Sequence, residues 1–195
     1  MTRTNRSFAR AAVVAGILLT LTACTVPAPS PRQTIPHDAG TGQTLAEARE
    51  AIDAVPGILV TDFAGGGPPN VKGNTGYSVA FEIDPGYAVL HGDVLVDYIV
   101  RSTWSVGEGY MPNTQIQISA STADGEPLFD LASAATGSGW IPPLSRDPSQ
   151  HSTVVIPLSA DGSEGARNLS LLTQDGQWPG VVPEPLPGNV TAKND

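Results

Sequence analysis

The chain has a single cysteine, Cys24, in 195 residues, so no disulfide can form within it and any fold must be held by a buried apolar core. That demands length. Residues 43–188 supply enough chain for one domain, with a disordered end expected at 189–195.

Cys24 also closes a distinctive start. Arg3, Arg6 and Arg10 precede an apolar run over residues 11–21, and the run ends in Leu21-Thr22-Ala23-Cys24. A basic flank followed by about a dozen apolar residues is what a secretory signal needs, and such a run is too short to span a bilayer stably. The motif resembles the lipobox signal peptide of bacterial lipoproteins. The resemblance implies a signal peptide over residues 1–23, a diacylglycerol on the Cys24 thiol, and a mature protein held at the extracytoplasmic face of the cell membrane. Two acyl chains, at roughly 0.8 kcal/mol per inserted methylene, anchor stably where one chain is marginal. A twin-arginine route is disfavoured, because no two arginines are adjacent. Lys72 and Lys193 are the only lysines while Gly, Ala and Pro abound. That bias resembles lipoproteins of actinobacterial type.

Without residues 1–23, seven basic residues face nineteen acidic ones, a net charge of −12 with histidines neutral. An acidic surface with no basic, aromatic-interleaved stripe excludes nucleic acid as a partner and leaves the lipid, not charge, to hold the protein to the membrane. Residues 24–42 carry Pro27, Pro29, Pro31 and Pro36 with few apolar side chains and read as an extended tether.

Within the domain, Thr44-x-x-Glu47 is a capping box, and Leu45, Ala48, Ala51, Ile52 and Val55 recur at helical spacing until Pro56-Gly57. A β-branched run over residues 58–63 predicts a strand, and residues 77–84 alternate apolar and polar. Residues 89–106 mix strand-favouring valines with a helical spacing of Leu95, Tyr98 and Ile99, and the expectation is a helix. Residues 114–120 alternate again, with Ile116 and Ile118 inward. Ala123-Asp124-Gly125 then predicts a hairpin turn into a strand over residues 128–133. Pro157 places the run 154–158 at a sheet edge. After Asp175 the chain is turn-rich and is expected to lie over the domain. This order predicts an α+β fold, a two-layer sandwich of mostly antiparallel sheet with two helices on one face, in a permuted ferredoxin-like order.

Chemistry-bearing motifs are sparse. His37 falls in the tether, leaving His91 and His151 for a folded site, and His91-Gly92-Asp93 with Asp97 offers a nitrogen and two carboxylates without the spacing of a zinc site. Gly137-Ser138-Gly139 lacks the spacing of a nucleophile elbow, and Pro68-Pro69 after Gly65-Gly66-Gly67 forbids the helix that a phosphate loop requires. Asp124, Glu126 and Asp130 lack the calcium-loop pattern. Trp104 reads as core, while Trp140 and Trp178 adjoin Gly/Pro segments and read as pins that hold loops onto the domain. No catalytic, metal or cofactor site is expected. The function this supports is a lipid-anchored, non-catalytic binding or interaction module of the cell envelope, with a possible protein partner there. The alternative is a small envelope hydrolase using His91 or His151 with carboxylates; a transporter's substrate-binding lipoprotein needs two lobes, and this chain has length for one.

Overall fold

The Thr44 side chain accepts from the Glu47 N–H, and the Glu47 carboxylate accepts from the Thr44 N–H in return, which starts helix α1 (Leu45–Asp53) as the capping box predicts. The computed structural model describes residues 34–122, 129–143 and 152–194. The signal peptide, Cys24, most of the tether, His151 and the turn at residues 123–125 with Asp124 and Glu126 lie outside them. Helix α1 buries Ala48 and Ile52 against strand β1 (Ile58–Gly65), and β1 runs antiparallel to β2 (Gly76–Ile83) with a bulge between Val60 and Asp62. Tyr77, Val79, Phe81 and Ile83 of β2 are buried, while the intervening residues are half-buried. A period of two is what one covered sheet face imposes.

Residues 89–106 resolve into two elements. Strand β3 (Tyr87–Val89) takes the first residues, and helix α2 (Gly92–Trp104) the rest, burying Leu95, Val96, Tyr98, Ile99, Val100 and Trp104 between α1 and α3 (Leu131–Gly137). Gly92 lets the two helices meet, since a Cβ there would stand 2.4 Å from the Phe129 ring. Strand β4 (Gln115–Thr122) buries Ile116 and Ile118 as expected, but its neighbours are β2, in parallel, and β5 (Thr153–Pro157), antiparallel.

The hairpin expected between β4 and residues 128–133 is not formed. Asp130 accepts from the Ser133 N–H at 2.9 Å and caps α3, whose Leu131, Ala132, Ala134 and Ala135 are buried. The expected ferredoxin-like order requires a split β-α-β unit; here β2 and β4 are hydrogen-bonded neighbours with α2 as their crossover, in the order β1-β2-β4-β5. Among the described residues the fold is thus α+β, with four helices, a mixed sheet of four strands and a second sheet of two. Helix α4 (Ser163–Leu172) follows β5, and Gly165 allows it to approach the Ser159 backbone, which a Cβ would meet at 2.2 Å. No described helix is long and apolar enough to cross a membrane.

Both chain boundaries differ from expectation. Residues 36–42, assigned to the tether, form with Gln43 a clasp on residues 105–111: Met111 donates to the Pro36 carbonyl, Asp38 to Gly109, Ala39 to Gly107 and Gln43 to Ser105, all within 2.8–3.0 Å. The buried Gln43 side chain adds bonds to the Ser102 carbonyl and the Ser105 hydroxyl. At the other end, residues 189–195 were expected to be disordered; strand β6 (Thr191–Lys193) pairs with β3, Val190 is buried, and the Thr191 hydroxyl donates to the Pro56 carbonyl. Burying Val190 supplies the apolar area that so short a strand needs.

The two edges of the large sheet are finished differently. On β1, the Val60 N–H donates to the Asp53 carboxylate and its carbonyl accepts from Arg49 at 2.6 Å, so side chains of α1 occupy the edge. On β5, the bonds Ala120 to Ser152 and Leu158 to Thr114 turn the even residues toward β4. By alternation Thr153 and Val155 then face outward, while Pro157 has no N–H and its carbonyl accepts from Asn168.

Candidate functional site

The helical period that buries Trp104 also sets Arg101 one turn earlier on the rim of α2, at the i+4 position from Asp97. Arg101 Nε lies 2.9 Å from Asp97 Oδ2, and its Nη1 lies 3.6 Å from the exposed Asp175. Trp140, fully buried, donates its indole N–H to Asp97 Oδ1 at 3.2 Å and presents its ring 5.8 Å from the guanidinium carbon. The result is a fixed cation on a half-buried helix face.

Arg101, Trp104, Leu172, Asp175 and residues 180–184 line a cleft of about 390 Å³. Its wall is the turn-rich segment after Asp175, which does lie over the domain and is joined to it by the bond from Gly180 to the Trp104 carbonyl. Gly180 sits on the indole: a Cβ there would stand 2.6 Å from Trp104 Cδ1 and 3.1 Å from Nε1, so the edge bearing the N–H faces this wall. Trp104 is 3% exposed, and its indole N–H has no hydrogen-bond partner. A buried donor left unpaired costs roughly 1–3 kcal/mol, a cost that an acceptor brought to it would recover. Val181 and Val182 remain exposed beside it, at 69% and 45%. The cleft thus combines one charged donor, Arg101, with the apolar surface of Trp104, Leu172, Val181, Val182 and Pro183, and carries Asp175 and Glu184 as its acids, while the indole N–H stays buried behind the Gly180 wall.

A second cleft of about 360 Å³ lies at the N-terminus of α1, among Asp38, Glu47 and Glu108. Its carboxylates are committed to the backbone: Glu47 to Thr44 at 2.7 Å, Glu108 to Leu45 at 3.0 Å, and Asp38 to Gly109 at 2.8 Å. The Gly109 N–H, followed by His37, holds the Asp38 carboxyl below the usual range, and Thr44 does the same for Glu47. These acids cap a helix and fasten the clasp.

Among the described residues, the sequence-predicted candidates do not form a shared site. His91 is an exposed N-cap of α2 whose side chain makes no capping bond, Asp93 is exposed, and Asp97 is engaged by Arg101 and Trp140. His37 is not a tether residue; its ring stacks at 4.8 Å on Tyr110. Gly65 and Gly66 make room for the Tyr77 ring, whose hydroxyl donates to the Glu108 and Tyr110 carbonyls. Gly137 and Ser138 close α3. Trp140 is buried, and Trp178 is half-buried against the core, joined to Pro179 by a cis peptide. Among the described residues no group of three or more His, Cys, Asp or Glu could hold a metal. Sequence reasoning missed Arg101 and the residues 180–184; the i,i+4 pair Asp97 and Arg101 was the available signal.

The chain matches no family model, no curated protein and no solved structure.

Proposed function

We propose that the protein is a lipid-anchored, non-catalytic binding module of the bacterial cell envelope, which takes an amphipathic group of its ligand or partner into the Arg101–Trp104 cleft. The observation that carries the reading is the position of the sole cysteine, Cys24, at the end of a short apolar run behind three arginines. The cleft supports the binding role. It offers a charged donor beside exposed valines, the mixture by which a mostly apolar site orients an oxygen-bearing ligand. A non-catalytic reading draws further support from the described acids at the helix ends, which act as caps and clasps. The test joins both halves. Cells expressing the wild type or Cys24→Ala are fed an alkyne fatty acid and crosslinked at their surface, and Arg101→Ala is crosslinked in parallel. Acyl label that depends on Cys24, with a specific adduct that Arg101→Ala loses, supports the proposal. Absence of label from the wild type refutes the anchor, and an adduct indifferent to Arg101 refutes the cleft.

A further inference from the structure

The clasp determines where the N-terminal chain leaves the domain. Residues 36–39 run along residues 107–111, so Thr34 departs beside Tyr110 and Met111. The same corner holds the loop between β1 and β2: Tyr110 donates to the Gly66 carbonyl at 2.9 Å, and Asn113 joins Thr75 and the Gly73 carbonyl, each at 2.9 Å. The loop is a built turn. Asn70 Oδ1 accepts from the N–H groups of Lys72 and Asn74, and the Gly73 N–H returns to the Asn70 carbonyl at 2.8 Å. Its tip is Val71-Lys72. Val71 is 105% exposed, the most exposed large apolar side chain described, and Lys72 is one of two lysines in the chain.

From Cys24 to Thr34 is ten residues, which span at most about 35 Å even when fully extended. We infer that the Val71-Lys72 turn is a bilayer contact, docking the tethered domain with this corner against phospholipid; the inference rests on lipidation at Cys24. Short reach confines the corner to the layer next to the membrane, and confinement lets a contact too weak to recruit a free protein orient a tethered one. Val71 supplies a side chain that loses nothing by entering the headgroup boundary, and Lys72 supplies an ammonium for lipid phosphate. Asp38 and Glu108 lie nearby on the clasp and oppose deeper approach to anionic lipid. The contact is therefore the turn, not the whole face.

In the lipidated protein the Cys24 sulfur is a thioether, so an introduced cysteine is the only free thiol. Full-length lipidated Val71→Cys, Gly67→Cys and Ser121→Cys, the last at the far end of β4, are labelled with nitrobenzoxadiazole and reconstituted on vesicles of phosphatidylcholine doped with phosphatidylglycerol. The inference expects a blue shift, an emission gain of about twofold and quenching by spin-labelled lipid at positions 71 and 67, and none at 121. It also expects Val71→Glu with Lys72→Glu, both at solvent-exposed positions, to abolish the signal at 67. Vesicle-bound protein whose labels at 67 and 71 stay unquenched overturns the docking while leaving the anchor intact. A blue shift without lipid quenching assigns the turn to a protein contact and overturns it as well. Protein that fails to float with vesicles and keeps a free Cys24 thiol overturns the anchor and this inference together.

Discussion

Replacing Gly107 by alanine tests the clasp through one added methyl group. Gly107 does not occupy the left-handed region, so alanine can adopt its backbone and only space opposes it. The new Cβ would stand 1.8 Å from the Thr41 carbonyl oxygen, where real Cβ contacts begin near 3.0 Å. Relieving the overlap moves that strand by about 1.2 Å. Two bonds of 2.9 Å, Gly107 to the Gln43 carbonyl and Ala39 to the Gly107 carbonyl, then open to about 4 Å, outside hydrogen-bond reach. At about 1 kcal/mol each, the loss is about 2 kcal/mol. For a domain of this length that lowers the Tm by roughly 4–8 °C. The control is Gly67→Ala, where nothing lies within 4 Å of the added carbon. It should melt within about 1 °C of the parent, or slightly above it, because alanine restricts the unfolded chain. Calorimetry on Cys24→Ala protein gives the Tm, and hydrogen exchange locates the damage at the amides of Ala39 and Gly107. A Gly107→Ala protein that melts with its parent and keeps both amides protected would refute the steric argument.

Other outcomes follow from the same contacts. Burial, with the Glu108 and Asp38 carboxylates adding to it, pushes the Tyr77 phenol up to about 12 from 10.0. The folded state therefore holds its proton after the unfolded chain releases it: the contribution is intact below pH 10 and lost as pH rises to 12, about 2 kcal/mol in all. Urea titrations across that range should show a smaller alkaline loss for Tyr77→Phe than for the wild type. Asn168→Ala should cost about 2–3 kcal/mol in denaturant unfolding, since the fully buried amide donates to the Trp140 and Pro157 carbonyls and its loss strands both. Thr44→Ala should cost about 1 kcal/mol by the same measurement, through one half of the capping box.

What the sequence disclosed was local. The Thr44–Glu47 box and the alternation of residues 77–84 and 114–120 are signals written within one turn or one strand, and the elements stand within a residue or two of where those signals place them. Pairing was not local. Ala123-Asp124-Gly125 has hairpin chemistry, yet the partner of β4 on one side is β2, reached through a helix, and no turn motif encodes a crossover. The capping signal Asp130-x-x-Ser133 and the small apolar run after it were present, and the hairpin reading overrode them. Helix α4 escaped notice because its buried positions are Gly165, Asn168 and Leu172: a glycine for close approach and an amide for two carbonyls break the apolar stripe. The clasp was hidden for a similar reason, being made of backbone bonds between glycine-rich segments. The cleft is assembled from α2, α4 and the residues beyond Asp175, and only Arg101 with Asp97 had a readable spacing.

The finish of the sheet edges bears on crowding. Molecules tethered to a surface diffuse in two dimensions and meet far more often than the same number in solution, which favours any strand able to recruit a copy of itself. Arg49 and Asp53 already hold the backbone of Val60, and β5 turns only Thr153 and Val155 outward before Pro157 ends it. On the β5 edge a neighbour could gain two residues of ladder at most. At a surface such as the proposed anchor would supply, that edge gives a copy little to extend.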